Sequence, residues 1–209
     1  MAVTDAYATA TEYKTVTGKS SSADDTQLGV DLTTVSRYIE RRMAGRFFTK
    51  DASVISRVYY PRYAGRTLDV DDIGDTVGLA IKVDTGLIGS FSSYSAWAAA
   101  DYQLSSWSDA FNAPAGPENS PYNQIYIPTW SSQPLWTPLI PVQVTAIWGW
   151  PSVPGAVKRA CIELTAILRL ESPRATSRVN EMGDVLQTSP EADRIIWSLW
   201  DAYKGPVTL

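Results

Sequence analysis

The sequence predicts an α+β fold: a mainly helical core of about four helices, with a large β-rich insertion between the second and third main helices. Three observations predict it. Apolar residues recur at helical spacing near both ends of the 209-residue chain, short alternating stretches bounded by turn residues fill the middle, and a strand pattern passes directly into an apolar helix after residue 142. We therefore expect a helical core at residues 1–50 and 142–209, and an insertion at residues 51–141.

The N-terminal segment is predicted to form a pair of helices. Thr9 and Glu12 have the spacing of a capping box, and Gly18 marks the end of this first short helix. A longer helix follows a serine-rich connector, and either Asp24 or Asp25 is placed to cap its start. The apolar stripe of the longer helix consists of Leu28, Leu32, Val35, Ile39 and Met43.

From about residue 54 the pattern changes to the period of a β-strand. The predicted strands are short and separated by turn residues, and they cover residues 54–60, 79–84, 102–104 and 124–127. Asp84-Thr85-Gly86 is a candidate hairpin tip. Two proline-rich stretches, residues 112–121 and 128–141, are predicted to be loops.

A strand and the third helix then follow one another without a spacer. Val142, Val144 and Ala146 alternate with polar residues, and Pro151 and Pro154 end the strand pairing, with Pro154 at the first helical position. The apolar face of this helix consists of Val157, Ala160, Cys161, Leu164, Ile167 and Leu168. A sheet that leads directly into a buried helix is expected to be a rigid joint, which suits an assembly better than a catalyst.

The last helix is expected to start at Ser189-Pro190-Glu191, which combines a cap, a first-position proline and an acid near the positive helix end. Gly205-Pro206 is expected to close it. Its apolar face consists of Ile195, Ile196, Leu199, Trp200 and Tyr203. A polar segment, residues 174–188, separates this helix from the third one, which is expected to end near Ser172-Pro173. We expect the face to need a partner surface in its own subunit or in another one.

The composition argues against catalysis and against stable DNA binding. The chain has no histidine and one cysteine, which excludes cysteine–histidine zinc sites, cysteine–histidine catalysis and an internal disulfide. Cys161 is predicted to be a packing residue. The net charge is −4, and residues 51–149 carry 4 basic and 9 acidic groups, so no basic stripe is available to neutralise phosphates. We expect no enzyme activity and no cofactor.

The sequence also lacks an apolar run long enough to span a bilayer, and its N-terminus lacks the basic-then-apolar order of a secretion signal. We therefore expect no membrane partner, and we expect the protein to remain in the compartment where it is made.

Two residue clusters invite other interpretations. Asp69, Asp71, Asp72 and Asp75 approach a calcium-loop spacing around Gly74, but the fifth and twelfth ligand positions fall on apolar residues, which favours a solvated acidic turn over a weak divalent-ion site. The 8 tryptophans and 11 tyrosines are compatible with a sugar- or base-stacking platform, although buried anchors in cores or subunit contacts are the commoner use.

Three segments, in their order along the chain, resemble the head-to-tail connector (adaptor) proteins of long-tailed bacteriophages. The first is Tyr7-Ala8-Thr9 with Glu12-Tyr13-Lys14, followed by the helix of residues 28–43 and by Arg46-Phe47-Phe48. The second is Asp101-Tyr102-Gln103-Leu104, with Pro121-Tyr122 ahead of the strand at residues 124–127. The third is the strand-to-helix joint, from Val144-Thr145-Ala146-Ile147-Trp148-Gly149-Trp150-Pro151 through Val153-Pro154 to Ala156-Val157-Lys158 and Ala160.

The resemblance implies a structural protein of the virion neck, made in the host cytoplasm, that works without a cofactor or catalysis. It implies a ring, dodecameric in the family, that lies below the portal protein, continues the DNA channel and carries the tail through a stopper or tail-end protein. DNA would pass through without specific binding. We expect the face of Ile195, Ile196, Leu199, Trp200 and Tyr203 to dock onto the portal or onto a neighbouring subunit. The alternatives are a carbohydrate-binding or other β-sandwich binding module, and a different neck component such as a stopper or tail-completion protein.

Overall fold

The structure is a computed structural model that describes residues 6–87, 89–106, 120–169 and 190–203. The chain divides into two compact units, a helical unit of Met1–Thr49 with Val153–Leu209 and a sheet unit of Lys50–Ser152. The described residues form four α-helices and five antiparallel strands, which confirms the predicted α+β fold class.

The helical unit contains α1 (Ala10–Thr17), α2 (Asp25–Arg42), α3 (Gly155–Leu168) and α4 (Pro190–Tyr203). α2 packs against α3, α3 packs against α4, and α1 contacts both α2 and α3. The buried residues that form this core include Tyr13, Leu32, Val35, Ile39, Val157, Leu164, Ile167, Ile196 and Leu199. None of the helices in the described part of the chain is long and apolar enough to cross a membrane.

The caps of α1 confirm the local prediction. The Glu12 N–H donates to Thr9 Oγ1 at 3.2 Å while the Thr9 N–H donates to Glu12 Oε2 at 2.7 Å, so both halves of the capping box are present. Gly18 follows with φ +71°, a left-handed conformation that glycine adopts without steric cost. At α2, Asp24 occupies the N-cap, but its side chain makes no capping bond and lies 3.6 Å from the Arg169 guanidinium.

The bounds of the last two helices follow the predicted signals with small differences. Pro154 is the N-cap of α3 and Gly155 is its first residue, so the proline lies one position earlier than predicted. α3 ends at Leu168, before the predicted end. α4 begins at Pro190 as predicted. The predicted Ser189 cap and the Gly205-Pro206 stop lie outside the described residues.

The sheet unit is a single five-stranded antiparallel sheet. Its strands are β1 (Ile55–Tyr59), β2 (Thr67–Val83), β3 (Gln103–Ser105), β4 (Tyr122–Tyr126) and β5 (Val142–Trp148). They lie in the order β1-β5-β2-β4-β3. The long strand β2 pairs with β4 along its first half and with β5 along its second half, with shifts of register between them. Register shifts of this kind bend a strand, so β2 can pair with β4 near its start and with β5 near its end.

Alternation in β5 is confirmed, since Val142, Val144, Ala146 and Trp148 are buried and the residues between them are half-buried. Other residues of the sheet core include Leu68, Ile73, Ile81, Ile125, Ile127 and Trp136. β5 lies between β1 and β2, so residues 142–152 belong to the sheet unit and not to the helical core to which the sequence pattern assigned them.

Two predictions about the middle of the chain were wrong. The region around Asp69 and Asp75 is not a turn, because it forms the first half of β2, which starts at Thr67. Asp84-Thr85-Gly86 is not a hairpin tip, because β2 pairs with β4 and β5 while the next strand, β3, pairs with β4 alone. A strand was missed in the first case because aspartate has a low β propensity, which neighbouring strands override here.

Candidate assembly surfaces

The face of α4 that was expected to meet another protein is largely covered within the helical unit. Ile195, Ile196 and Leu199 are buried, and α4 packs against α3. Trp200 and Tyr203 are half-buried, and the Tyr203 ring lies edge-on to Phe48 with 5.5 Å between the ring centroids. The apolar face of α4 therefore stabilises the subunit itself, and Trp200 and Tyr203 are the members of the set that retain exposed surface.

Polar contacts hold α4 in the same position. Arg42 Nη2 of α2 lies 2.8 Å from Asp193 Oδ1, and the Arg46 guanidinium donates to the backbone carbonyl of Tyr203. Trp197 points away from this packing, because 60% of its surface is exposed. A large aromatic residue left in solvent on a firmly held helix is a typical interface anchor, and periodicity alone did not single it out because it falls outside the apolar stripe.

A groove of about 580 Å³ lies between α3 and α4. Small residues form much of its lining, namely Gly155, Ala156, Ala160, Ser198 and Ala202. The charged side chains around it are paired on their own helices: Arg159 Nε lies 2.8 Å from Glu163 Oε1, and Arg194 Nη2 lies 2.6 Å from Glu191 Oε1. The groove thus presents small, mostly apolar residues between paired charges.

The cysteine is used for packing. Cys161 is buried, with its Sγ 3.5 Å from Ser36 Oγ and 3.7 Å from the Leu32 carbonyl oxygen. Burial raises the pKa of this thiol from 9.0 to about 11, so the nucleophilic thiolate is scarce at neutral pH.

The acidic residues of β2 are engaged by protein groups. The partners are Gln124 for Asp69, Arg57 and Tyr59 for Asp71, the Trp150 indole N–H for Asp72, and Lys50 for Asp75, at distances between 2.6 and 3.2 Å. Within the described ranges, no group of three or more histidine, cysteine, aspartate or glutamate residues is arranged to hold a metal ion. These carboxylates therefore connect neighbouring strands and segments of the sheet unit.

Most of the described tryptophans of the sheet unit are anchors of its core. Trp136 and Trp148 are almost fully buried, and Trp97 stacks on Trp136 with 5.0 Å between ring centroids. The Trp136 indole N–H donates to the Arg66 carbonyl at 3.0 Å. Trp130 is the described tryptophan of this unit that stands exposed, so the stacked pair is internal and not a platform for sugars or bases.

Six large apolar side chains on the loops of the sheet unit are exposed, and we refer to them together as the exposed loop residues. They are Tyr60, Tyr63, Leu87, Trp130, Leu135 and Leu139. Leu87 has φ 53° and Leu139 has φ 66°, a left-handed conformation that is costly for leucine, yet their side chains are 65% and 78% exposed. Backbone strain at residues whose side chains are not packed inside the protein is typical of sites that contact a ligand or a partner. The sequence pattern did not indicate these residues.

The chain was compared with protein families, curated proteins and solved structures. No protein-family model matches the chain, and no curated protein is similar to it in sequence. The solved structure described as "Neck of empty GTA particle computed with C6 symmetry" contains a chain with 15% sequence identity and a TM-score of 0.49, over 96% of this chain and 92% of that one. A similarity at this level establishes neither a common fold nor a common role.

Proposed function

We propose that the chain is a structural virion protein of the neck, a head-to-tail adaptor that forms a ring below the portal, extends the DNA channel and provides the attachment platform for the tail. One observation carries the proposal. The helical unit is interrupted between α2 and α3 by a complete sheet unit, and the segments that resemble the connector family occupy α1 and α2, the β3–β4 region and the β5-to-α3 connection, in that order.

The chemistry of the described residues supports a structural role. Groups that an enzyme would use as nucleophile or base serve packing here: Cys161 keeps its proton through burial, and the β2 carboxylates pair with neighbouring residues. A conduit for DNA also benefits from weak attraction to phosphate, because bound phosphates would retard passage, and the chain carries a net charge of −4.

The exposed apolar residues support assembly. We assign contacts with the portal, or with a neighbouring subunit, to the outer side of α4, where Trp197 is exposed and Trp200 and Tyr203 are half-buried. We assign a second set of contacts to the exposed loop residues of the sheet unit. The ring would be dodecameric, with a stopper or tail-end protein on the side away from the head.

Electron microscopy of a reconstituted neck tests the proposal. DNA-filled heads that carry the portal but lack this chain are mixed with the purified full-length protein, and heads without a portal are the control. We expect a ring of density directly below the portal and none on the control heads. Absence of binding contradicts the proposal, density that requires an intervening ring assigns the chain to a stopper position, and saturable sugar binding by a monomer supports the carbohydrate-binding alternative.

A further inference from the structure

The sheet has two edges, and they are different. β1 is bonded to β5 along one side, and β3 is bonded to β4 along one side. Among the described residues, neither strand has a strand partner on its other side, because they occupy the two ends of the order β1-β5-β2-β4-β3. Unpaired strand edges bind other strands readily, and natural proteins usually protect them.

The β1 edge lacks the usual protection. Residues 54–60 read Val-Ile-Ser-Arg-Val-Tyr-Tyr and contain no lysine, proline or acid. Their one charged residue, Arg57, extends over the sheet, with its guanidinium carbon 4.5 Å from the centroid of the Trp148 ring and its Nη1 2.6 Å from Asp71 Oδ2. The guanidinium is therefore held across β5 towards β2, away from the edge.

Both faces of the β1 edge are also exposed. Ile55 and Val58 lie on opposite faces because successive side chains alternate, and 43% and 45% of their surfaces are exposed. Val54 and Tyr60, which flank the strand, are exposed as well. Exposed apolar residues on and beside a strand with one unpaired side suit pairing with another strand.

We propose that β1 of one copy pairs along its open side with β3 of the next copy, so that the sheets of neighbouring subunits join into one continuous sheet around the ring. This inference rests on the proposed ring. A contact between two different edges is heterologous, and repeating it by one rotation closes a ring, whereas β1 pairing with β1 closes a dimer. β3 is suited as the partner because its residues, Gln103, Leu104 and Ser105, carry no charge that would oppose the apolar β1 edge.

Disulfide trapping in the assembled particle tests this pairing. Cysteine is placed on β1 at Ile55 or Val58 and on β3 at Gln103 or Ser105, giving four double variants that sample the register. Cys161 is buried and does not compete. A bond within one copy is excluded, because the two edges are four strand spacings apart, about 19 Å, whereas a disulfide spans about 7 Å between Cα atoms. We expect at least one double variant to give a ladder of covalent multimers on a denaturing gel after oxidation on portal-bearing heads.

The single variants and a charge variant complete the test. Val58→Cys alone should give no ladder, and a high yield of dimers from it would overturn the proposal in favour of β1–β1 pairing. Val58→Lys should abolish ring assembly without lowering the thermal midpoint of the free protein, while Val16→Lys, at a position of α1 that is 55% exposed, should leave assembly intact. Rings that form with Val58→Lys, and no ladder from any double variant, would overturn the edge pairing but leave the adaptor proposal standing. Failure of the wild-type chain to form a ring on portal-bearing heads would contradict the adaptor proposal itself.

Discussion

The Tyr7 hydroxyl donates a 2.6 Å hydrogen bond to Glu40 Oε1 in the interior of the helical unit. The same hydroxyl oxygen accepts the Phe48 backbone N–H at 3.1 Å, and the Tyr7 N–H donates to Ser36 Oγ at 2.9 Å. One tyrosine thus connects the residues before α1 to α2 and to the segment after it. Glu40 is also held by Arg37, whose Nη2 lies 3.0 Å from Oε1.

Replacing this hydroxyl should destabilise the protein. Tyr7→Phe removes two hydrogen bonds from the interior of the helical unit, the one donated to Glu40 and the one accepted from the Phe48 N–H, at a cost of about 1–3 kcal/mol in the free energy of unfolding. Urea unfolding at neutral pH measures this loss of stability. Tyr63→Phe, at a position 79% exposed, is the matched control and should change stability by less than about 0.5 kcal/mol. Equal stability of the two variants would contradict the assigned role.

Stability should fall at alkaline pH. Burial raises the pKa of Cys161 to about 11 from 9.0, and burial together with the Glu40 hydrogen bond raises the pKa of Tyr7. The unfolded chain therefore releases these protons at lower pH than the folded chain, so the stabilisation is complete below about pH 9 and is lost as the pH rises through about 11. Urea midpoints across this range should decrease, and they should decrease less steeply for Cys161→Ala. An unchanged slope in that variant would show that the thiol titrates alike in both states.

Adding one methyl group at Gly74 should be destabilising. A Cβ there would lie 2.8 Å from the Gly149 carbonyl oxygen and 3.3 Å from the Trp150 carbonyl carbon, both of which are backbone atoms that cannot rotate away. We expect Gly74→Ala to cost about 1–3 kcal/mol in thermal or urea unfolding. Gly29→Ala is a control of opposite sign, because nothing lies within 4 Å of its added Cβ and alanine favours the helix by about 1 kcal/mol.

Substitutions at two neighbouring residues of α4 should have different effects, one on the stability of the subunit and the other on its attachment to the portal. Ile196→Ala removes a buried side chain and should lower the free energy of unfolding by about 2–5 kcal/mol. Trp197→Gln alters a side chain that is 60% exposed and should change stability by less than about 0.5 kcal/mol while weakening attachment to portal-bearing heads. The measurements are urea unfolding and co-sedimentation with heads. Full attachment by a stable Trp197→Gln variant would remove the outer side of α4 from the interface.

Calcium should leave the protein unchanged. Asp71 and Asp75 already pair with Arg57 and Lys50, and the segment that carries them is a strand and not a ligand loop. The thermal midpoint should therefore be the same with about 1 mM calcium as with a chelator. If calcium raised the thermal midpoint, and Asp71→Asn abolished that increase, the result would instead indicate a calcium site on β2.

Features that depend on nearby residues could be predicted from the sequence. The capping box of Thr9 and Glu12, the left-handed Gly18 and the start of α4 at Pro190 involve partners within a few positions, so residue type and spacing are sufficient. The alternation in β5 is equally local, because the strand is buried on one face.

Features that depend on distant partners could not be predicted. The first half of β2 contains aspartates that disfavour a strand, yet it is paired with β4, and Asp72 accepts a hydrogen bond from Trp150, which is 78 residues away. The left-handed backbone conformations of Leu87 and Leu139 could not be predicted either, because they depend on how the loops close and not on the local preference of leucine.

By itself, the sequence determined the α+β class, most elements and the side of each helix that requires burial, since these follow from the period of the apolar residues. Only the tertiary structure decided what covers each side. It placed Ile196 and Leu199 of α4 in the subunit's own core, placed β5 inside the sheet, and left β1 and β3 as its edges. The physical reason is that a hydrophobic period specifies a surface to be removed from water, whereas its partner is selected by contacts between residues far apart in the chain.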